Sequence, residues 1–376
     1  MPELESSSAY TGAAAGRLPP HTVSGSVDAL LSPTTLSRLT GHPVTNVRRL
    51  PFSSVDGRSG GSLETVEAEG AGRYVLKRFS WERDVTMRMS RDRAGRAVTM
   101  WERGLLDRLP PLLTHGVVGC AREGDGWAML LEDFEGHMLP PDEERLSDDE
   151  NGIVLGALAA LHSAFWDEPL AAFERYDLCS FRTRYEAFFP GRTLDREDGR
   201  LPIVPYIREG WQLLPELVEP DVADLVQRLH ADVTPLCTAL ARYPRTLLHG
   251  DCHHGNIGII ARPDPRVILL DWAFVSLGPP AADLGEYVSI GVMRLPSSKE
   301  ATIELYRRLL ALRLGERFDD SWWLPQLELA FLGEFLRLGW NKTYVAAHGE
   351  SEEIRQRERR EIAWWCDLAR RATRWL

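Results

Sequence analysis

His249-Gly-Asp-Cys-His-His-Gly-Asn256, followed by Val267-Ile-Leu-Leu-Asp271-Trp272, decides how this 376-residue chain is read. Asp251 stands five residues before Asn256, and Asp271 stands fifteen after it. The polar, glycine-containing stretch reads as a loop, and the apolar run into Asp271 reads as a strand ending on a carboxylate. Three oxygen-bearing side chains are thereby offered from two neighbouring segments. Mg²⁺ is a hard cation that takes one or two protein side-chain oxygens beside phosphate oxygens and water. Asn256 and Asp271 suit it as ligands, which leaves Asp251 free to accept the proton of an attacking hydroxyl. Phosphoryl transfer asks for this division of labour, because it needs positioning and charge rather than covalent chemistry.

His249-Gly-Asp-x-x-x-x-Asn256 with Leu-Asp271-Trp resembles the aminoglycoside phosphotransferase family of small-molecule kinases, which are relatives of protein kinases. The resemblance implies an α+β, two-lobe protein-kinase-like fold with a mostly β N-lobe and a mainly helical C-lobe. It implies ATP (or GTP) and Mg²⁺ as cofactors, and a small hydroxylated molecule as acceptor. His249 is then expected to brace the loop through a backbone hydrogen bond. Gly278-Pro-Pro-Ala-Ala-Asp283-Leu resembles the family segment in which an Asp buttresses the catalytic loop, so Asp283 is expected behind it. The same loop has another reading. His249, Asp251, His253 and His254 are dense in metal-ligand types, as in a zinc-dependent hydrolase. Against that, the histidines lack the i, i+4 spacing of a zincin, and nothing upstream supplies a matching cluster.

A kinase needs a phosphate-contacting lysine before the loop. The chain has three lysines, Lys77, Lys299 and Lys342, and Lys77 alone precedes it. Lys77 lies in Arg73-Tyr-Val-Leu-Lys-Arg-Phe79, an alternating run of strand formers that resembles the third strand of a kinase N-lobe. Val44 to Ser53 and Leu63 to Glu69 read as strands. Between them, Asp56-Gly-Arg-Ser-Gly-Gly-Ser62 reads either as a glycine turn approaching phosphates or as a plain hairpin loop. Asp92 to Leu109 carries Val98, Trp101, Leu105 and Leu109 at helical spacing. Glu102 within it is the expected ion partner of Lys77, or else a surface partner of an arginine. Trp127 to Gly136 is an apolar strand running into acidic residues. The resemblance makes it the hinge, where backbone groups of Glu132, Asp133 and Phe134 would contact adenine.

Length allows a disordered tail over residues 1–25, an ATP-binding N-lobe over 26–135 and a catalytic C-lobe over 136–376. No run of 18 apolar residues argues for a membrane span, and Met-Pro-Glu-Leu-Glu is no secretory start, so a cytoplasmic protein is expected. Five scattered cysteines without a C-x-x-C pair read as reduced thiols. The net charge of −11 sits in residues 141–240, which hold 20 Asp and Glu against 9 Arg; the remainder is balanced. Such a field repels nucleic acid and suits a cationic acceptor such as an aminoglycoside, although a charge run is also an ordinary solvated surface.

Ser147-Asp-Asp-Glu150 reads as a capping box before a core helix that carries His162, expected as a buried, satisfied histidine. Helices are expected over 208–242 with breaks near Pro220 and Pro235, then over 283–290, 298–314, 321–338 and 352–375. The tryptophans of the last third read mainly as core, with an aromatic wall for a sugar or cation as the alternative. The functional expectation is an ATP-dependent phosphotransferase. A metabolite kinase acting on a sugar, choline-like amine or amino alcohol, and a catalytically silent kinase-like binding protein, stand as alternatives.

Overall fold

The computed structural model describes residues 21–52, 60–139, 144–191, 203–261 and 264–376. Most of the glycine turn at 56–62 lies outside these residues, as do residues 1–20 of the expected tail. His21–Gly25, which composition places in that tail, are held in place. The Ser24 N–H bonds the Cys120 carbonyl at 2.8 Å, and His21 stacks on Trp101.

Two short helices, α1 (Val27–Leu30) and α2 (Pro33–Thr40), precede a sheet built from β1 (Val47–Pro51), β2 (Ser62–Ala68) and β3 (Gly72–Phe79). After α3 (Val85–Met89), α4 (Arg96–Glu102) and the short strand β4 (Leu113–Thr114), the chain adds β5 (Val117–Glu123) and β6 (Gly126–Glu132). The five-stranded sheet has the order β1-β2-β3-β6-β5, with antiparallel neighbours. Strand alternation decides where Lys77 points. Tyr74 and Leu76 pack with Val66, Leu130, Leu30 and Leu36 in a cluster under α1 and α2. Lys77, opposite Met129 across β3 and β6, therefore faces the other side, where Phe79 joins the main core.

The helix expected over 92–109 is shorter than its apolar spacing suggested. It starts at Arg96, after Gly95 at φ 72°, and ends at Glu102, before Gly104 at φ 75°. Two glycines in left-handed conformation delimit it. Its first residue does more than begin a helix. The Arg96 guanidinium is buried and donates to the carbonyls of Asp177 and Ala273, each at 2.6 Å. It thus pins the N-lobe to the C-lobe just past Asp271.

The C-lobe begins with α5 (Asp148–Ala164), whose Ser147–Glu150 capping box is complete. It continues through α6 (Phe181–Glu186), α7 (Val204–Leu217), α8 (Pro220–Ala231) and α9 (Thr234–Leu240). Next come β7 (Thr246–Leu248), β8 (Ile257–Ile260), β9 (Arg266–Leu269) and β10 (Ser276–Gly278). The last helices are α10 (Ala281–Ile290), α11 (Lys299–Leu314), α12 (Asp320–His348) and α13 (Glu352–Ala372). Helix α12 extends a full ten residues beyond the expected end at 338 and packs against α13 and α7. Gly210 of α7 lets the two helices touch, because a Cβ there would lie 2.1 Å from the Trp340 carbonyl. Trp323, Trp340 and Trp365 are buried, in keeping with a core role. No helix among the described residues is long and apolar enough to cross a membrane.

Beside the connection between lobes, the His115 Nδ1 accepts the Val117 N–H at 2.9 Å. Burial pushes its pKa down to about 4 from an ordinary 6.5. The unfolded chain therefore binds more protons here between those values, and His115 makes folding stability fall as pH drops from 6.5 toward 4. His115→Asn keeps an acceptor for the Val117 N–H but does not titrate. Chemical denaturation from pH 7 to 4 should show a shallower loss of stability in this variant than in the native chain.

Candidate active site

Residues His249–Asn256 link β7 to β8, and β10 pairs back on β7 with Leu248 opposite Ser276. Asp271 follows β9, which pairs with β8. The loop and the acidic strand end are thus brought side by side by two small sheets, and the Leu270 N–H bonds the Asn256 carbonyl at 2.9 Å. Gly250 has φ 83°, and a Cβ there would lie 2.2 Å from the Phe274 carbonyl, so glycine is required at this turn. Asp271 itself has φ 63°, sparsely populated for a residue with a Cβ. Leu270 before it is bonded to Asn256, and Ala273 two residues after it to Arg96.

His249 braces both segments. Its Nε2 donates to the Leu270 carbonyl at 2.9 Å, its Nδ1 accepts the Asp251 N–H at 3.4 Å, and its ring packs edge-on against Trp272. Burial holds its pKa below the ordinary value, which agrees with a neutral ring donating through Nε2 alone. Behind the loop lies Asp283 of α10, fully buried. Its Oδ2 accepts the His249 N–H at 2.8 Å, and its Oδ1 accepts the Gly250 N–H at 2.9 Å. His162 reaches the same carboxylate at 3.2 Å and the Tyr306 hydroxyl with its other nitrogen.

The side chains named from sequence converge as follows. The Asn256 Nδ2 donates to the Asp251 Oδ2 at 3.0 Å, so the Asn256 side-chain oxygen is turned away from that carboxylate. Lys77 crosses the cleft, and its Nζ meets the Asp271 Oδ2 at 2.7 Å. Burial acts to lower the Lys77 pKa, but the charges of Asp271, Asp84 and Asp251 outweigh it and hold the ammonium above its ordinary value. Burial acts to raise Asp251, and the nearby His253 and Arg337 outweigh it, keeping the carboxylate well below the usual range. Asp251 is therefore ionised. The Cys252 thiol is pushed well up by burial, as befits packing rather than nucleophilic attack.

Two expectations are corrected. Glu102 is not the partner of Lys77. It closes α4, its carbonyl accepts the His21 N–H, and its charge acts on Cys120 of β5. The acids whose fields reach Lys77 beside Asp271 are Asp84, the buried N-cap of α3, and Asp251. At the hinge, the Glu132 N–H is already bonded to the Gly116 carbonyl at 2.8 Å and is not available to a base edge. Phe134 is buried against Gly116, its carbonyl accepts the His137 N–H, and Asp133 lies 3.4 Å from Arg73. A zinc centre has no support in this geometry. Both nitrogens of His249 are engaged with backbone, and no group of three or more His, Cys, Asp and Glu among the described residues could hold a metal.

Sequence reasoning also missed a buried charge cluster. Glu286, one turn after Asp283, accepts the Cys252 N–H at 3.1 Å and pairs with Arg184 and Arg337. Arg184 also donates to the Gly250 carbonyl at 3.0 Å and pairs with Glu334. The signal was present in Phe331-Leu-Gly-Glu334-Phe-Leu-Arg337-Leu-Gly-Trp340, where two charged residues interrupt an apolar helix at i, i+3 spacing.

The phosphotransferase enzyme family model matches residues 58–322. The chain belongs to the phosphotransferase enzyme family. It is accordingly a small-molecule phosphotransferase with a protein-kinase-like fold. Among solved structures, a microcompartment-associated aminopropanol kinase is similar over 90% of this chain and 97% of its own, at 18% identity and a TM-score of 0.50. The ethanolamine kinase of Plasmodium vivax is 13% identical over 85% of this chain and 81% of its own, with a TM-score of 0.47. An aminoglycoside phosphotransferase of Streptomyces rimosus, in complex with ADP and streptomycin, is 16% identical over 75% and 94%, with a TM-score of 0.44. No curated protein matches the chain.

In this phosphotransferase, Asp283 receives two successive N–H groups of the loop. Asp283→Asn would turn one of those acceptors into a donor facing a donor in a buried site. Thermal or urea unfolding should show a loss of about 2–3 kcal/mol, the scale of charged hydrogen bonds left unmade.

Proposed function

We propose that the chain transfers the γ-phosphoryl group of ATP or GTP to a hydroxyl of a small molecule. The observation that carries this reading is the convergence of Asp251, Asn256 and Asp271 opposite Lys77. Asp251 is ionised and partly open to the cleft, with its side chain 19% exposed, so it can accept a hydroxyl proton. As that proton moves to Asp251, the acceptor oxygen bonds phosphorus and the bond from phosphorus to the nucleoside diphosphate breaks. Lys77 would trade its contact with Asp271 for the phosphates, to which a compact ammonium is suited. Glu132, Asp133 and Phe134 border the nucleotide in this reading.

The donor set suits Mg²⁺. Asn256 holds its amide nitrogen on Asp251, which presents oxygen as its remaining donor, and Asp271 adds a carboxylate. Bound there, the ion would neutralise phosphate charge.

The acid-rich stretch at 141–240 gives only partial support to a cationic, aminoglycoside-like acceptor. Several of its carboxylates pair with arginines from elsewhere, Glu168 with Arg108, Glu186 with Arg91 and Asp221 with Arg370. That pairing weakens the field and leaves a metabolite alcohol, such as a sugar or amino alcohol, as the second reading of the acceptor.

The test is a panel of cationic and neutral hydroxylated small molecules with Mg²⁺ and ATP or GTP, followed by mass detection of an added phosphate. Asp251→Asn should lower turnover by about 10²–10⁴-fold, with nucleotide affinity retained. Asp271→Asn should instead weaken Mg²⁺-dependent nucleotide binding in a titration. Undiminished turnover in Asp251→Asn would rule out the proposed base.

A further inference from the structure

We propose that Arg337 is a positioning residue for the Asp251 carboxylate, so that the C-terminal helices set the alignment of the base. This rests on the reading of Asp251 as base. Arg337 lies in the middle of α12, fully buried in a stretch that is apolar apart from Arg337 and Glu334. A guanidinium survives there only with its charge matched, and here both terminal nitrogens are engaged while the buried Nε has no hydrogen-bond partner among the described residues. One Nη pairs with Glu286 and lies 3.5 Å from Glu334, and the other donates to the Asp251 Oδ1 at 3.1 Å. The rings of Phe188 and Phe274 sit 5.2 Å from its central carbon. Acids on one edge and aromatic rings beside it leave the fork little freedom to turn.

The consequence falls on Asp251. Its Oδ2 is held by Asn256 and its Oδ1 by Arg337, so rotation about its last side-chain bond is anchored from both sides. A carboxylate that takes a proton must direct one lone pair at the hydroxyl, and a misplacement of about 1 Å can cost 10²-fold in rate. Remove Arg337, and the Oδ1 loses its anchor, while Asn256 and the more distant His253, 3.7 Å away, still hold the Oδ2. Arg184 and Arg337 together match the charges of Glu286 and Glu334, and Arg337 still extends a second nitrogen past them to the base. Phe274 also lies three residues beyond Asp271, so the guanidinium packs against the segment that carries the second proposed metal ligand.

The experiment compares Arg337→Met, Arg337→Lys and Asp251→Asn with the native chain. Turnover is followed with the best acceptor of the panel and by phosphate release from Mg·ATP with water as acceptor. Mg·ATP affinity is titrated separately, and crystal structures report the Asp251 carboxylate. We expect Arg337→Met to lower turnover about 10²-fold, with Mg·ATP affinity within about twofold and the Asp251 carboxylate rotated or split. Arg337→Lys, which keeps the charge without the fork, should recover part of the rate and serves if the Met variant does not fold. An unmoved carboxylate and native turnover in either folded variant, with Asp251→Asn inactive, would overturn the role of Arg337 alone. Native turnover in Asp251→Asn would instead overturn the base on which it rests.

Discussion

Two carboxylates one helical turn apart govern the site. Asp283 and Glu286 of α10 receive the N–H groups of His249, Gly250 and Cys252. The loop between β7 and β8 cannot satisfy its own backbone groups by regular pairing, so these donors need acceptors from behind. Carboxylates supply them at full charge in a dry environment, where each bond is stronger and each loss more costly. Arg184 and Arg337 balance that charge, and His162 fixes Asp283 from the far side. The loop's shape is thus imposed by the core of the C-lobe.

The N-lobe meets the C-lobe through a shared apolar core, the pairing of β4 with β9 and specific polar contacts. Arg96 carries the start of α4 onto the carbonyl of Ala273, and Lys77 reaches Asp271 across the cleft. Both end on the short segment that follows β9. The surrounding acids hold the Lys77 pKa high and keep the ammonium charged.

Much of this was legible in the chain. The spacing of Asp251, Asn256 and Asp271 and the alternation around Lys77 pointed to one site, and the Ser147 capping box marked a helix that forms as read. The reading failed where local pattern gave the wrong measure of reach. Val98, Trp101, Leu105 and Leu109 keep helical spacing, but Gly95 and Gly104 adopt left-handed conformations and cut the helix to seven residues. Glu102 then ends beside β5 rather than in the cleft. Asp84 was passed over because a helix-capping Asp in a connection looks local, although its charge is felt by Lys77.

The sequence by itself determined the chemical inventory of the loop and the face on which Lys77 points, because spacing and strand alternation are properties of a few consecutive residues. Only the tertiary structure decided which acids lie near Lys77, that Glu286 holds the loop, and that Arg337 reaches Asp251 from 86 residues away. Those partners are chosen by how helices pack, and a buried charge in one helix has no local signature of the charge it will meet in another.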